Sequence, residues 1–373
     1  MDMSEQADLF RLLLVGGGHA HLFVLEAIIQ GRLPSDGVAL VSPSRWQYYS
    51  GMLPGLVAGH YRAEQCRIDL EALCEQAGIV MIIDSACGLE ADRKSLQLAS
   101  GRTLGFEQLS LDIGSQTDLS WIRKPGNHLI SVKPMDRFLA DWQAFSDTAR
   151  RRREGRMVVV GGGAAGVELA MAARTSLRNS GFSLPVTLVA SNGVVADFPA
   201  AVRKRVEREL ERLDVSVYRG KAEAEGGHVK LDDGTELQAD LIIATSGAKA
   251  PRWLTGSGLE LDHAGFVRVD QYHRSCSHPD IYAVGDICAR PGTPLMKSGV
   301  HSVRAGPVLA HNLLAARNGD PLTVFRPRRN VLYLISCGDR RAVASWGPLY
   351  ASGGWVWHWK DRIDRAFIDR FSG

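Results

Sequence analysis

Met157-Val158-Val159-Val160-Gly161-Gly162-Gly163-Ala164-Ala165-Gly166-Val167-Glu168 is an apolar strand, a tight glycine turn and a helix start in one breath. The same grammar occurs earlier, in Leu12-Leu13-Leu14-Val15-Gly16-Gly17-Gly18-His19-Ala20-His21. A doubly wound fold holds a dinucleotide pyrophosphate on such a turn, with backbone N–H groups and the helix dipole facing the anion. Two such turns in one chain point to two nucleotides held at once. Electron transfer between a nicotinamide and a flavin is the economical reason for that pairing.

Outward from the first turn, Leu22 to Ile29 continues as an apolar helix and Val38 to Val41 as the next strand. A loop rich in Ser, Pro, Gly and aromatics is expected over Ser42 to Gly59. Ile68 to Ala77 reads as a helix, Val80 to Ile83 as a strand, and Ser100-Gly101 as a hairpin turn between Leu96 to Leu98 and Thr103 to Leu104. Leu109 to Ile113 is an apolar strand ending at Gly114. The second turn repeats the scheme: helix Val167 to Leu177, strand Val186 to Ala190, helix Pro199 to Leu213 with Val202, Val206 and Leu210 at helical spacing, and buried strand Leu241 to Ala244 before Gly247. Val331 to Ile335 and Ala342 to Trp346 read as a strand pair. Trp355, Trp357 and Trp359 alternate as in extended chain, and a short helix is expected over Lys360 to Phe371. The class is α/β, with two nested Rossmann-like units and a small C-terminal element.

The chain has 373 residues, enough for two or three domains, of which 45% are apolar and 23% charged. A net charge of +3 implies no nucleic acid or other polyanion as partner. Arg150 to Arg153 reads as a solvated helix end. No long uncharged apolar run marks a membrane-spanning helix, and the polar start Met1 to Asp8 is not a signal peptide, so a cytoplasmic location is expected. The cysteines Cys66, Cys74, Cys87, Cys276, Cys288 and Cys337 form no Cys-x-x-Cys pair, which argues against a zinc site or a local redox disulfide. No metal site is expected.

Further motifs carry a resemblance. Leu109-Ser110-Leu111-Asp112-Ile113-Gly114-Ser115 is similar to the strand returning to the flavin in two-dinucleotide-fold flavoproteins. Ser277-His278-Pro279-Asp280-Ile281-Tyr282-Ala283-Val284-Gly285-Asp286 resembles their second flavin motif, whose Asp bonds the ribityl chain. Pro294-Leu295-Met296-Lys297-Ser298-Gly299-Val300 is similar to the segment capping the flavin ring. Together they resemble the pyridine nucleotide-disulfide oxidoreductase superfamily, in the branch of type II NADH dehydrogenases and sulfide:quinone reductases. Gly17-Gly18-His19-Ala20-His21, Tyr49-Ser50-Gly51-Met52-Leu53-Pro54-Gly55 and Lys360-Asp361-Arg362-Ile363-Asp364-Arg365 resemble a narrower group, flavoprotein modules associated with selenide, water dikinase. The resemblance implies an FAD-dependent oxidoreductase that takes electrons from NAD(P)H. It implies an FAD domain at 1–118 and 251–325, an NAD(P) domain at 119–250 and a capping element at 326–373.

The candidate site follows residue by residue. Gly16, Gly18, His19, His21, Ser42, Gly114, Gly285, Asp286, Lys297, Ser298, Gly299 and Val300 are expected at the FAD, and Gly161, Gly163, Gly166 and Gly247 at the nicotinamide nucleotide. Glu168 resembles the glutamate at the flavin–nicotinamide interface, or is simply a first-turn acid favoured by the helix dipole. Lys297 would stabilise a reduced, anionic ring, and Cys337 is the candidate thiol beside it. Departures from the pattern matter equally. His21 replaces the third glycine of the first turn, so His19 and His21 either approach the flavin or pack and cap the helix. Ser42 and Ala190 stand where ribose-binding acids are usual, which leaves NADH and NADPH poorly discriminated. Val300 and Arg304 occupy the places of the quinone-facing glutamines of type II dehydrogenases. That departure counts against a quinone; the expected acceptor is still a small, quinone-like molecule, with a selenium- or sulfur-handling module and a flavin-binding partner protein of little turnover as the alternatives. The aromatic and basic C-terminal segment packs on the flavin domain or on a second copy in a homodimer, in preference to lying peripherally on a membrane.

Overall fold

The computed structural model describes residues 8–124, 129–152, 154–181, 184–292, 296–328 and 330–372. The first sheet runs in the order Val80–Ile83, Val38–Ser42, Asp8–Val15, Thr103–Leu111, Ser95–Leu98, Ala86–Glu90. Asp8–Val15 lies parallel to both neighbours, with Leu14 opposite Leu40 and Ser110. Its inner half, Leu12 to Val15, is buried on both faces, as a central parallel strand between helical layers requires. Thr103–Leu111 serves two partners: its start pairs antiparallel with Ser95–Leu98, and its end pairs parallel with Ile281–Ala283. The strand at Ile281–Ala283 thus returns to a sheet begun in the first residues.

The second sheet is wholly parallel, ordered Leu129–Ser131, Leu241–Ala244, Met157–Val160, Val186–Val189, Val215–Tyr218. A four-stranded sheet, Ile122–Lys124, Ala222–Glu225, His228–Leu231, Glu236–Gln238, lies beside it. Two Rossmann-type α/β units result, each with its glycine turn at the end of a central strand.

The C-terminal segment is more than a cover. Leu332–Ser336, Ala342–Trp346 and Leu349–Gly353 form an antiparallel sheet, followed by the helix Gly354–Arg370. Side chains alternate across a strand. Here Ala342 and Ala344 join the apolar core of the first unit, together with Val356, Trp357, Ile368 and Phe371. Val343, with Ile335 and Cys337, joins the core of the second.

Three sequence expectations change. Trp355, Trp357 and Trp359 lie in the helix, not in extended chain. Ser42 to Gly59 contains the strand Trp46–Tyr48, paired with Arg67–Asp69, and the short helix Leu53–Val57. The helix Met135–Arg152 was not anticipated; it buries Phe138, Trp142 and Ala149 within a mostly polar stretch, and Arg151 lies at its exposed end. Arg153, Pro294 and Leu295 lie outside the described residues.

Candidate functional site

The first glycine turn is built around a carboxylate from another strand. Gly16 has φ +92°, and Gly18 caps the helix His19–Ile29 without a side chain of its own. Asp112, at the end of Thr103–Leu111, supplies the missing cap: its Oδ2 accepts the N–H of Ala20 at 2.8 Å and of His21 at 3.2 Å. A Cβ on Gly18 would stand 2.2–2.4 Å from that carboxylate, so only glycine fits. His21 is fully buried, with Nδ1 on the Gly16 carbonyl at 2.6 Å and Nε2 on the Ser110 hydroxyl at 2.8 Å. Both ring nitrogens are therefore engaged in joining helix to strand. Burial pushes the His21 and His19 rings down to about 4, keeping them neutral. His19 differs in one respect: its Nε2 is buried without a hydrogen-bond partner. Its ring meets Tyr49 and Phe367 edge-on at 5.4 and 5.6 Å, and those two stack at 4.6 Å. Ser42 is buried and donates to the Ser44 carbonyl at 2.9 Å.

The turn at Gly285 comes to the same place. A Cβ on Gly285, which has φ +74°, would stand 2.9 Å from Asp112 Oδ1 and 2.5 Å from Ser302 Oγ. The Asp286 carboxylate takes Lys133 Nζ at 3.2 Å and the Ser115 hydroxyl at 3.4 Å. Gly114 lies beside Lys133, and Gly299 lies against the His19 ring. Lys297 lies at the same turn: its ammonium donates to the carbonyls of Asp286 and Cys288, both at 2.8 Å, and lies over the Phe266 ring at 3.7 Å. Its charge thus braces the turn that carries Asp286, and burial lowers its pKa. A cavity of about 380 Å³ opens here, lined among others by Asp286, Arg290, Lys297, Ser298, His301 and Phe325. Val300 follows Gly299 in the first turn of the helix Gly299–Asn318.

The second turn keeps the third glycine. A Cβ on Gly166 would lie 1.9 Å from the Gly161 carbonyl oxygen, whereas Gly163 faces open space. Gly247 stands near Asp118, after the strand Leu241–Ala244. Ala190 is fully buried and a Cβ on Gly162 would stand 2.6 Å from its own, so the corner presents exposed Ser191 and Asn192 instead. Glu168 leaves this turn toward the C-terminal sheet, where it accepts the N–H of Ser336 at 2.7 Å. Burial pushes its carboxyl up to about 7.

With this geometry in view, the comparisons are decisive for the family. The family described as pyridine nucleotide-disulphide oxidoreductase matches residues 10–312. The chain belongs to that family. Ferroptosis suppressor protein 1 of Homo sapiens is 28% identical over 288 residues, covering 70% of each chain. The NADH dehydrogenase-like protein YutJ of Bacillus subtilis is 22% identical over 297 residues, covering 76% of this chain and 78% of that one. In fold, the sulfide:quinone oxidoreductase of Aquifex aeolicus matches with a TM-score of 0.79 at 16% identity, over 98% of this chain and 92% of that one. The protein is thus an oxidoreductase of the pyridine nucleotide-disulphide family with two Rossmann-type units.

Within this family member, two sequence motifs of the narrower resemblance meet in space. Lys360 donates to the Gly51 carbonyl at 2.6 Å and pairs with Asp364 at 2.6 Å; Asp361 accepts the Tyr61 hydroxyl at 2.6 Å. Cys337 requires a correction. Its thiol is fully buried, reaches only the Ile335 carbonyl at 3.6 Å, and has its pKa raised by burial. A reactive thiol needs an electropositive, partly exposed setting, which is the opposite environment. Cys288 donates to the Gly285 carbonyl at 3.2 Å and is likewise raised by burial. Sequence reading missed Lys133 and Asp112. Lys133 sits in Ser131-Val132-Lys133-Pro134, which carries no motif. Asp112 was quoted within the returning strand, yet a lone acid after an apolar run gives no hint that it caps a helix ninety residues upstream. Among the described residues, no His, Cys, Asp and Glu cluster suits a metal ion, and no helix is long and apolar enough to cross a membrane.

Proposed function

We propose that the protein is an FAD-dependent NAD(P)H oxidoreductase passing electrons to a small, quinone-like acceptor. The observation that carries this reading is the meeting of three flavin-type features at one helix end. These are the Gly16-Gly17-Gly18 turn at a helix N-terminus, packed on Asp112, the Gly285–Asp286 turn against it, and the unpartnered Nε2 of His19 beside them. A full dinucleotide suits a turn made for a pyrophosphate. Gly16, Gly18, Gly114 and Ser42 would hold its adenylate side. Asp286, fixed by Lys133, would hold the ribityl chain, and Ser298, Gly299 and Val300 would line the ring. Gly161, Gly163, Gly166 and Gly247 would form the nicotinamide site. The flavin supplies hydride and electron chemistry; the protein supplies position and charge. Glu168, part-buried at the junction of the second turn and the C-terminal sheet and with its carboxyl raised to about 7, is placed to exchange a proton there. The stacked Tyr49 and Phe367, with the His19 ring edge-on to both, put aromatic side chains next to the first turn, which supports an aromatic acceptor. Residues 1–118 with 251–325, 119–250 and 326–373 are our division of the chain into flavin, nicotinamide and bridging parts.

Anaerobic titration of the purified protein with NADH, NADPH, sulfide and selenide, followed by a soluble quinone, tests the reading. Bound flavin should lose its visible absorbance with both nicotinamides, within roughly tenfold of each other, because neither an acid nor an arginine marks the Ala190 corner. Quinone should restore it. Reduction by selenide or sulfide alone would replace this reading with the selenium–sulfur one, which the buried Cys337 does not support. Asp286→Ala should release FAD, losing about 1.5–3 kcal/mol of binding; unchanged FAD affinity would remove Asp286 from the site.

A further inference from the structure

We propose that Asp112 takes up one proton from solvent when the flavin dinucleotide binds, and so acts as a proton-linked partner of the pyrophosphate. This rests on the flavin reading of the first turn. The helix His19–Ile29 presents its N-terminus to that site, and such an end seeks one anion. An anion is already there. Asp112 Oδ2 holds the N–H groups of Ala20 and His21, and the carboxylate is wedged between the Cβ positions that Gly18 and Gly285 lack. It is 5% exposed.

The surroundings give its charge no direct counterion. Among the described residues no cation forms an ion pair with Asp112. Lys133 is spent on Asp286, and Lys297 on the Asp286 and Cys288 carbonyls. Asp286 adds a second negative charge from the neighbouring turn. His21 is neutral and bonded through both ring nitrogens, His19 is neutral, and the Cys288 thiol is held protonated by burial. Burial already holds the Asp112 carboxyl up to about 7. A bound pyrophosphate brings two further negative charges to the same helix end. Like charges in a site that water barely reaches cannot all stay ionised, and the phosphates are far the stronger acids. The proton therefore goes to Asp112. The protonated carboxyl keeps an oxygen to accept the helix N–H groups and gains an O–H to donate.

Isothermal titration of the apoprotein with FAD, in buffers of different ionisation heat between about pH 6 and 9, counts the protons. Uptake should approach one per FAD at the alkaline end and fall toward the acid end, with Kd weakening up to tenfold per pH unit above neutrality. Asp112→Asn should abolish both effects while still binding FAD. Infrared difference spectra of the unmutated protein should gain a protonated-carboxyl stretch on binding, which decides the matter if the variant does not fold. FAD binding with no proton uptake and no new carboxyl band would overturn the role of Asp112 alone. Persistence of the uptake in a folded Asp112→Asn variant would do the same. Absence of any FAD binding, with no flavin retained on purification, would overturn the flavin reading as well.

Discussion

Gly163 and Gly166 stand in one turn under opposite constraints. A methyl group on Gly166 collides with backbone at 1.9 Å, which cannot move without parting helix from strand; one on Gly163 meets nothing. Gly166→Ala should therefore cost more than about 3 kcal/mol or prevent soluble expression, while Gly163→Ala should stay within roughly 0.5 kcal/mol in urea unfolding. Glu168 gives a pH signature. Its folded carboxyl sits at about 7 against an ordinary 4.5, so its contribution is fully present below about 4.5 and is lost as pH rises through about 7. Glu168→Gln in the apoprotein should remove that loss, gaining on the order of 3 kcal/mol over wild type by about pH 8 relative to acid pH. Parallel pH profiles for the two proteins would contradict this assignment. The glycines at both turns were legible because their chemistry is local. Asp112 and Lys133 were not, because each acts on a partner distant in sequence, and spacing cannot report that.

At the scale of the element, the helix Gly354–Arg370 is anchored by polar groups as much as by its apolar side. Lys360 and Asp364 are buried together, with Lys360 also on the Gly51 carbonyl. Lys360→Met leaves Asp364 without its counterion, bonded only to Tyr49, and should destabilise by about 3–5 kcal/mol; adding Asp364→Asn should recover much of it. Thermal unfolding and the rate of proteolysis within this helix read both steps. The same helix shows why its start was misread. Trp357 is 6% exposed, whereas Trp355 and Trp359 are 61% and 41% exposed. A helix that places large aromatics on both faces produces a short alternation indistinguishable from a strand. The helix Met135–Arg152 carries Met135, Phe138, Leu139, Trp142, Phe145 and Ala149 at helical spacing against the second core, a legible pattern that the sequence reading passed over between two motifs.

For the molecule as a whole, the C-terminal sheet ties the two units together. Glu209 of the second unit, 2% exposed, takes Arg341, and Arg212 takes Asp339 through two bonds. Faces of that sheet enter both apolar cores, and Lys133 reaches Asp286 across the same junction. Flavin release and loss of far-ultraviolet circular dichroism should consequently coincide in one urea transition. Two separated transitions would show that the units unfold independently. The interlacing of the first unit has a further consequence, in time. Leu109–Leu111, already parallel to Leu13–Val15 on one side, finds its neighbour on the other side only at Ile281–Ala283, so the whole second unit is synthesised while that sheet edge lacks its partner. At about 5–20 residues per second, the ribosome leaves the edge open for roughly 10–35 s. An unpaired edge strand is a template for the wrong partner. The newborn chain therefore depends on nascent-chain chaperoning, or on rapid folding of the inserted unit, to bridge that interval.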